Sequence, residues 1–392
     1  MTSNQFASIP DFKDKEAELT RTRRHLHANP ELSFEERETA NYVAERLEAW
    51  GYEVTRNVGG YGVVGRLTQG TGGRSIAIRA DMDALPIVEE TGLPYASTKQ
   101  GVMHACGHDG HTTMLLGAAE YLARTRHFTG TVNLIFQPAE EAGKVSGAQA
   151  MIADGLFERF PCDAIFGLHN HPGAPAGSFL MRSGPLMAAA DTATITITGR
   201  GGHASRPHLA VDPIVTAANL VMTLQTVVSR SVNPTETAVV TVGTIKGGTA
   251  SNVIPERAEI AASIRSFSPE VRKTLEQRIR AIAGAIAEAH GATVDIDWEH
   301  GYPVVVNAPE ETTFATDVVT ELVGAGRVSE CPLIPGSEDF AYFLEHKPGC
   351  FLRLGNGEGS AFLHNPKYDF NDASLTTGAA LWARLAERYL QA

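Results

Sequence analysis

The chain contains few cysteines, and their spacing is not that of a disulfide framework. Only Cys106, Cys162, Cys331 and Cys350 occur among 392 residues, and no two of them form a CxxC pair. Small disulfide-stabilised proteins have a much denser set of cysteines. We therefore expect a reducing, cytoplasmic location. We also expect Cys162, Cys331 and Cys350 to be small buried residues.

The chain also lacks an excess of positive charge and any long apolar run. Its net charge of -12 argues against a nucleic-acid groove and against binding to an anionic membrane. No run approaches the roughly 20 apolar residues of a membrane span. Residues 1–8 have neither the basic start nor the apolar stretch of a secretory signal. These absences exclude membrane and nucleic-acid partners, and the length of the chain predicts two domains.

A dense cluster of potential metal ligands occupies residues 103–111, Met-His-Ala-Cys-Gly-His-Asp-Gly-His. Histidine, cysteine and carboxylate side chains bind transition metals such as zinc, cobalt, nickel and manganese. Residues 112–123 have a helical apolar period, so the cluster should lie on a loop that enters a helix and on the first turn of that helix. The motif predicts metal or thiol chemistry. By itself it leaves open a reactive Cys106 paired with His108.

Acidic and histidine residues follow three predicted buried strands. These are residues 75–80 with Asp81 and Asp83, residues 131–136 with Glu140 and Glu141, and residues 163–168 with His169 and His171. Each pair alone is a weak signal. Two aspartates are equally typical of a turn, two glutamates are common on a solvated helix, and single histidines are often structural. Because open α/β sheets bind ligands at the carboxyl ends of their strands, the repetition predicts one site at one edge of the sheet.

The middle of the chain has a different pattern and predicts a second domain. Its expected elements are a strand at 192–198, a helix at 212–229, strands at 237–245 and 256–267, a helix at 269–290 and a strand at 292–299. This βαββαβ order is typical of a small two-layer domain. We expect an inserted domain at 190–300 and a discontinuous α/β domain at 1–189 and 301–392, with a mostly parallel sheet flanked by helices.

The remaining elements complete the first domain. A charged helix is expected at 12–27. A capping box at 33–36 is expected to begin a helix that stops at Gly51. In the tail, a strand is expected at 351–354 and a closing helix at 373–392. A discontinuous domain of this kind allows a late histidine to join ligands from the beginning of the chain.

Taken together, the motifs resemble those of the binuclear-metal amidohydrolases of the aminoacylase and carboxypeptidase superfamily. The similarity is to the branch of hippurate hydrolases, N-acyl-amino-acid deacylases and auxin-conjugate hydrolases. The matching stretches are residues 27–33, 79–86, 103–111, 137–141, 199–205, 251–255, 336–340 and 363–366. They cover nearly the whole chain in the expected order.

The resemblance implies a metal-dependent hydrolase that releases a carboxylic acid and a free amino acid from an N-acyl amino acid. Two divalent ions (Zn, Mn, Co or Ni) would be held by Cys106, His108, Glu141, His169 and His364, with the thiolate bridging them. Glu140 would be the general base, and His203 and Asn252 would contact the small-molecule substrate. The inserted domain would act as a lid and as the contact of a homodimer, in which His203 reaches the partner's site.

The chain departs from the wider superfamily at Asp81-Met-Asp83, where many members have His-x-Asp and use the histidine as a ligand. The resemblance implies that His108 takes over that role and that Asp83 orients a ligand. It leaves the role of Asp81 open. His104, His111 and His171 are expected to support ligands, and His203 has the alternative of capping a turn.

Two other functions remain open from the sequence. One is a non-catalytic binding or scaffold protein on the same fold, and the other is a dipeptidase or carboxypeptidase. The acyl group, the amino acid and the metal are not determined by these motifs.

Overall fold

The computed structural model describes residues 6–391. Residues 1–5, part of the segment in which we expected no secretory signal, lie outside the described residues, as does Ala392, the predicted end of the closing helix. The α-helices are, in chain order, α1 (Glu16–Ala28), α2 (Arg37–Ala49), α3 (His108–Thr125), α4 (Gly147–Ala153), α5 (Leu156–Arg159), α6 (Pro213–Ser231), α7 (Pro269–Ala289), α8 (Pro309–Val323), α9 (Phe340–His346) and α10 (Leu375–Tyr389).

The strands are, in chain order, β1 (Glu53–Val58), β2 (Gly62–Gln69), β3 (Ser75–Asp81), β4 (Gly130–Gln137), β5 (Ala164–Pro172), β6 (Phe179–Met181), β7 (Gly184–Met187), β8 (Ala189–Thr198), β9 (Gly202–His203), β10 (Ala238–Gly247), β11 (Val253–Ile254), β12 (Arg257–Ser266), β13 (Thr293–His300), β14 (Val305–Asn307), β15 (Val328–Glu330) and β16 (Gly349–Gly357). Within residues 6–391, no helix combines the length and the apolar character needed to cross a membrane.

The described chain forms two compact units. The first contains the residues up to Gly184, Val306–Pro332 and the residues from Asp339 onward, and the second contains Pro185–Val305 and Leu333–Glu338. The sequence assigned residues 333–338 to the first domain. They lie in the second unit because the amide of Ala188 donates to the carbonyl oxygens of Ile334 and Gly336, at 3.1 and 3.0 Å.

The first unit is built on an eight-stranded sheet with the order β1-β2-β4-β3-β5-β16-β6-β15. Its centre, β4-β3-β5-β16, is parallel throughout. On one side β2 and β1 extend it as antiparallel strands, and on the other β6 pairs antiparallel with β16 and parallel with β15. The central strands are buried along most of their length, as strands covered on both faces must be. The predicted α/β class with a mostly parallel sheet is confirmed.

Helix α3 positions the predicted ligand cluster. It starts at His108, four residues before the apolar period at 112–123, because Gly107 adopts φ +96° and turns the chain into the helix. Nearly every residue of α3 through Ala119 is buried, and α10 packs against it. The cluster therefore lies on the entering loop and the first turn, as predicted.

The second unit has a four-stranded antiparallel sheet with the order β10-β12-β8-β13. Helices α6 and α7 bury their apolar faces in a common core with the sheet. Leu220 and Leu224 of α6, Leu275 of α7, and Ile195 and Ile260 of the sheet are all at most 1% exposed in this core. The observed order of these elements confirms the predicted βαββαβ arrangement.

The predicted capping box at 33–36 is wrong, although the helix that it introduced is present as α2. The hydroxyl of Ser33 donates to Asp83 Oδ2 at 2.7 Å instead of capping a helix. The amides of Glu38 and Thr39 are capped by the carboxylate of Glu31, at 3.2 and 2.8 Å. A tertiary contact has replaced the local one, which no spacing in the sequence reveals.

Candidate metal centre

A late segment of the chain contacts the loop at residues 105–108. The carbonyl oxygen of Ala105 accepts a hydrogen bond from the amide of His364 at 2.8 Å. Cys106 and His108 are buried, with 6% and no exposure respectively. His364 itself adopts φ +62°, in the left-handed region, so the backbone turns sharply at this residue. The late histidine predicted to complete the site therefore lies at the metal loop.

Cys106 and His169 face each other directly. Cys106 Sγ lies 3.2 Å from His169 Nε2. Because His169 Nδ1 donates to the carbonyl oxygen of Asn170 at 2.8 Å, the lone pair of the ring is on Nε2. His169 lies within β5, which runs to Pro172 instead of ending at residue 168 as expected. The pair presents one sulfur and one imidazole nitrogen donor to the same space.

His108 has one ring nitrogen in hydrogen bonds, while the other lies 3.7 Å from Asp81 Oδ2, beyond hydrogen-bond distance. Its Nδ1 lies 2.9 Å from the carbonyl oxygen of Asp83 and 3.1 Å from Asp83 Oδ1. Its Nε2 is buried, with no hydrogen-bond partner among residues 6–391. Burial lowers the pKa of His108, but the carboxylates of Asp81 and Asp83 outweigh it and raise that pKa to about 10. The surroundings thus strongly favour a positive charge at this nitrogen.

Glu141 joins the late histidine to Asp83. Its Oε1 lies 3.0 Å from His364 Nε2, and its amide donates to Asp83 Oδ2 at 2.9 Å. The hydrogen bond to Glu141 raises the pKa of His364. Asp83 is buried and receives hydrogen bonds from Ser33, His108 and the Glu141 backbone. It thus contacts His108, whose orientation the sequence predicted it to support.

The five predicted ligands come together as overlapping donor sets. In each set the donor atoms lie within 4.8 Å of one another; the sets are Cys106 with His108 and His169, Cys106 with Glu141 and His364, and His108 with Glu140 and Glu141. Thiolate, imidazole and carboxylate donors match borderline divalent metals. The orphaned His108 Nε2 also requires a partner, since buried polar atoms rarely lack one. These residues therefore fit metal ions.

Asp81, whose role the sequence left open, supports His111. Its Oδ1 accepts from His111 Nδ1 at 2.6 Å, and its Oδ2 accepts from Arg79 at 2.7 Å. His111 Nε2 accepts from the amide of Asn170 at 3.0 Å, so both nitrogens of this ring are engaged. His111 also lies within a donor set with Asp81 and His108. Its hydrogen bonds nevertheless make it a supporting residue.

His104 does not contact the site through hydrogen bonds. Both of its ring nitrogens are buried and without a hydrogen-bond partner in the described part of the chain. Burial lowers the pKa of His104 to about 4, so the ring is neutral.

Sequence reasoning missed Asn170 and Tyr368. Asn170 donates from Nδ2 to the carbonyl oxygen of Cys106 at 2.6 Å, and the hydroxyl of Tyr368 donates to Asn170 Oδ1 at 2.8 Å. The signal for Asn170 was its place between two histidines at the end of a strand. Tyr368 carried no signal, because only the fold brings it to the loop.

In the second unit, His203 and Asn252 are brought together on a short ribbon. Strands β9 and β11 pair Val253 with His203, and the amide of Ala204 donates to the carbonyl oxygen of Asn252 at 3.1 Å. His203 Nδ1 accepts from the amide of Ser205 at 3.1 Å, so its proton is on Nε2. The ring thus caps a turn, which was the alternative role given for it above, and its Nε2–H remains a donor on an exposed residue.

The similarity of the chain to known proteins supports the same chemistry. The profile of peptidase family M20/M25/M40 matches residues 77–388. The chain is 46% identical over 385 residues to a hippurate hydrolase of Campylobacter jejuni, covering 98% of this chain and 99% of that protein. It is 40% identical over 391 residues to an N-acetyl-L-cysteine deacetylase of Bacillus subtilis, covering 100% and 92%.

A solved structure agrees with the fold. A Bacillus subtilis protein described as a dinuclear metal-binding peptidase of the M20 family matches with a TM-score of 0.85 and 35% identity, over 97% of this chain and 99% of that one. The resemblance inferred from the motifs is confirmed by these matches. The chain therefore belongs to peptidase family M20/M25/M40.

Proposed function

We propose that this chain is a metal-dependent amidohydrolase that cleaves the amide bond of N-acyl amino acids into a carboxylic acid and a free amino acid. The observation that carries this proposal is the convergence of the overlapping donor sets around Cys106 and His108. Its substrate class follows from relatives that act on hippurate and on N-acetyl-L-cysteine and match nearly the whole chain.

The proposed ligands are Cys106, His108, Glu141, His169 and His364, holding two divalent ions (Zn, Mn, Co or Ni). Bound there, such ions supply Lewis acidity, which polarises an amide carbonyl and lowers the pKa of water. The buried carboxylates of Asp81 and Asp83 add negative charge and keep the imidazoles oriented.

Glu140 is the proposed general base. It is 5% exposed and directly precedes Glu141, so the two adjacent carboxylates can take different roles, Glu141 as a ligand and Glu140 as the group that carries the proton. Ala139, at φ +52°, turns the chain sharply between β4 and this pair. Glu140 takes a proton from the attacking water and returns it to the leaving nitrogen. A proton transfer positioned in this way typically contributes about 10²- to 10⁴-fold.

His203 and Asn252 are the proposed substrate contacts. Since Ser205 fixes the proton of His203 on Nε2, this nitrogen can donate to the carbonyl oxygen as negative charge develops there. The side-chain amide of Asn252 donates to the carboxylate of the substrate and fixes its position.

The second unit also supports a homodimer. Strand β10 lies at the edge of the four-stranded sheet of this unit, and α6 packs beside it. Val239 and Ile245 of β10 are 38% and 52% exposed, and Val215 and Met222 of α6 are 53% and 71% exposed. An exposed apolar edge strand readily pairs with a second copy.

The cysteines support the reducing, cytoplasmic location proposed from composition, because all four are free and buried.

The first experiment is the release of free amino acid from a panel of N-acyl amino acids, including N-benzoylglycine and N-acetyl-cysteine, and from dipeptides. Metal-free, zinc, manganese, cobalt and nickel preparations are compared with a Glu140→Ala variant. We expect metal-dependent release that the variant lacks. Release by the metal-free protein that an alkylating agent stops would instead indicate a Cys106 nucleophile. Cleavage of dipeptides alone would indicate a peptidase. Folded, metal-loaded protein with no activity would indicate a binding protein.

A further inference from the structure

Asn170 contacts the metal loop with its side chain and its main chain at once. It is 1% exposed and directly follows His169 on β5. Its Nδ2 donates to the carbonyl oxygen of Cys106 at 2.6 Å. Its amide donates to His111 Nε2 at 3.0 Å, and its carbonyl oxygen accepts from His169 Nδ1 at 2.8 Å. One residue thus holds two of the proposed ligands and the histidine that supports them.

Tyr368 binds the oxygen of the Asn170 side-chain amide. Its hydroxyl donates to Asn170 Oδ1 at 2.8 Å, and the whole side chain is buried. With the amide reversed, Oδ1 would face the carbonyl oxygen of Cys106, and two acceptors would repel each other. The carbonyl oxygen of Cys106 therefore sets the orientation of the amide, and the hydroxyl of Tyr368 binds the amide oxygen in that orientation.

Gly107 shows how closely this pair approaches the backbone of the loop. A β-carbon at Gly107 would lie 2.3 Å from Asn170 Nδ2 and 2.6 Å from the hydroxyl oxygen of Tyr368. Both distances are shorter than any real carbon contact, and φ of +96° adds a second reason for glycine. The peptide that joins Cys106 to the first turn of α3 therefore lies against both side chains, and Asn170 donates a hydrogen bond to its carbonyl oxygen.

We propose that Asn170 and Tyr368 are a positioning pair that sets the direction of the Cys106 thiolate. The inference rests on the proposed function, because it takes Cys106 and His169 as metal ligands. The peptide planes on either side of a cysteine orient its Cα–Cβ bond, and this bond limits where the sulfur can lie. Groups that hold a ligand from behind typically contribute about 10- to 100-fold in metal affinity or activity when they are removed.

The test compares Tyr368→Phe and Asn170→Ala with a matched control, Tyr52→Phe. Tyr52 is also buried, and its hydroxyl also donates one hydrogen bond, to the carbonyl oxygen of Ala119 at 2.9 Å. Each metal-free protein is titrated with Co²⁺, and the thiolate-to-cobalt charge-transfer absorption is recorded together with the thermal unfolding temperature. The absorption reports the bond from sulfur to metal, which a loss of stability alone does not change.

We expect Tyr368→Phe to weaken cobalt binding about 10-fold or more and to shift or weaken the charge-transfer band. Asn170→Ala should show a larger effect of the same kind, and Tyr52→Phe should match the wild type in affinity and spectrum. Wild-type affinity and spectrum in Tyr368→Phe would overturn the proposal, as would an equal change in Tyr52→Phe. If Asn170→Ala fails to fold, the comparison of Tyr368→Phe with Tyr52→Phe still tests the proposal.

This result is separable from the outcome for the proposed function. The readouts are cobalt affinity and a spectrum, neither of which requires a substrate. Wild-type protein that binds cobalt through a thiolate but hydrolyses no amide would contradict the proposed function and leave the positioning pair supported.

Discussion

The thiol of Cys106 and the imidazole of His169 lie 3.2 Å apart, although 63 positions separate them in the chain. One is on the loop before α3, and the other is near the carboxyl end of β5. Their meeting shows that the loop and the strand end belong to a single site. Glu140 and Glu141, which follow strand β4, lie in donor sets that overlap with this one through His108 and Cys106.

The adjacent carboxylates Glu140 and Glu141 should have separable roles. Glu140→Gln should reduce turnover by about 10²- to 10⁴-fold and leave the metal content unchanged, because it removes only the base. Glu141→Gln should lower the metal content as well as the activity, since it removes a ligand. Elemental analysis of both purified variants, alongside steady-state kinetics, makes the comparison. Equal loss of metal in the two variants would contradict the assignment.

His203 and Asn252 should affect different kinetic constants. His203→Gln should lower kcat by about 100-fold or more, because it removes a donor to the developing oxyanion. Asn252→Ala should mainly raise KM, because it removes an anchor that is used before and during the reaction. The metal content should be unchanged in both, and circular dichroism checks the fold. His208→Gln, an exposed histidine on the same unit, is the control and should behave as wild type. A His203→Gln enzyme with normal kcat would leave the residue only as a turn cap.

The apolar edge of the second unit should determine the oligomeric state. Met222→Lys places a charge on a side chain that is 71% exposed, on the helix beside the edge strand β10. We expect sedimentation velocity to show a dimer for the wild type and a shift toward monomer for this variant. Val306→Lys, at a side chain 44% exposed on the first unit, should remain dimeric. A monomeric wild type would refute the proposed homodimer.

The buried carboxyl group of Glu387 should make stability depend on pH. Burial raises its pKa from 4.5 to about 7, while its Oε2 accepts a hydrogen bond from the amide of Ala7 at 2.6 Å. The folded state therefore binds this proton more strongly than the unfolded chain does. This contribution to the free energy of unfolding is highest below pH 4.5 and declines as the pH rises to about 7.

Glutamine cannot ionise, so the Glu387→Gln variant should not lose stability in this way as the pH rises. It should be more stable than the wild type above pH 7, on the order of 1–2 kcal/mol after solvent screening is allowed for, with the difference shrinking toward pH 4.5. Thermal unfolding across this range measures the difference. Glu288→Gln, on an exposed position of α7, is the control and should show no such trend. A difference that stays constant with pH would show that burial of Glu387 is not the cause.

Local patterns in the sequence were sufficient for most of the elements and for finding the candidate donor residues. The apolar strands at 75–80 and 131–136 and the helical period at 112–123 depend on neighbouring residues, and the structure contains all three. The motif at 103–111 and the acids after the strands identified side chains whose chemistry suits a metal, and the structure brings them together. What local patterns determine is the type of each segment and the kind of chemistry available to it.

Tertiary structure alone decided which contacts those residues make. Ser33, read as a helix cap, donates to Asp83, and Glu31 caps α2 instead. Asn170 and Tyr368 meet across 198 positions to hold the loop of Cys106. The sequence by itself determined the fold class and the kinds of donor side chain available. The partner of each hydrogen bond depended on which distant side chain packing brought within about 3 Å, because a hydrogen bond is decided by distance and angle and not by separation along the chain.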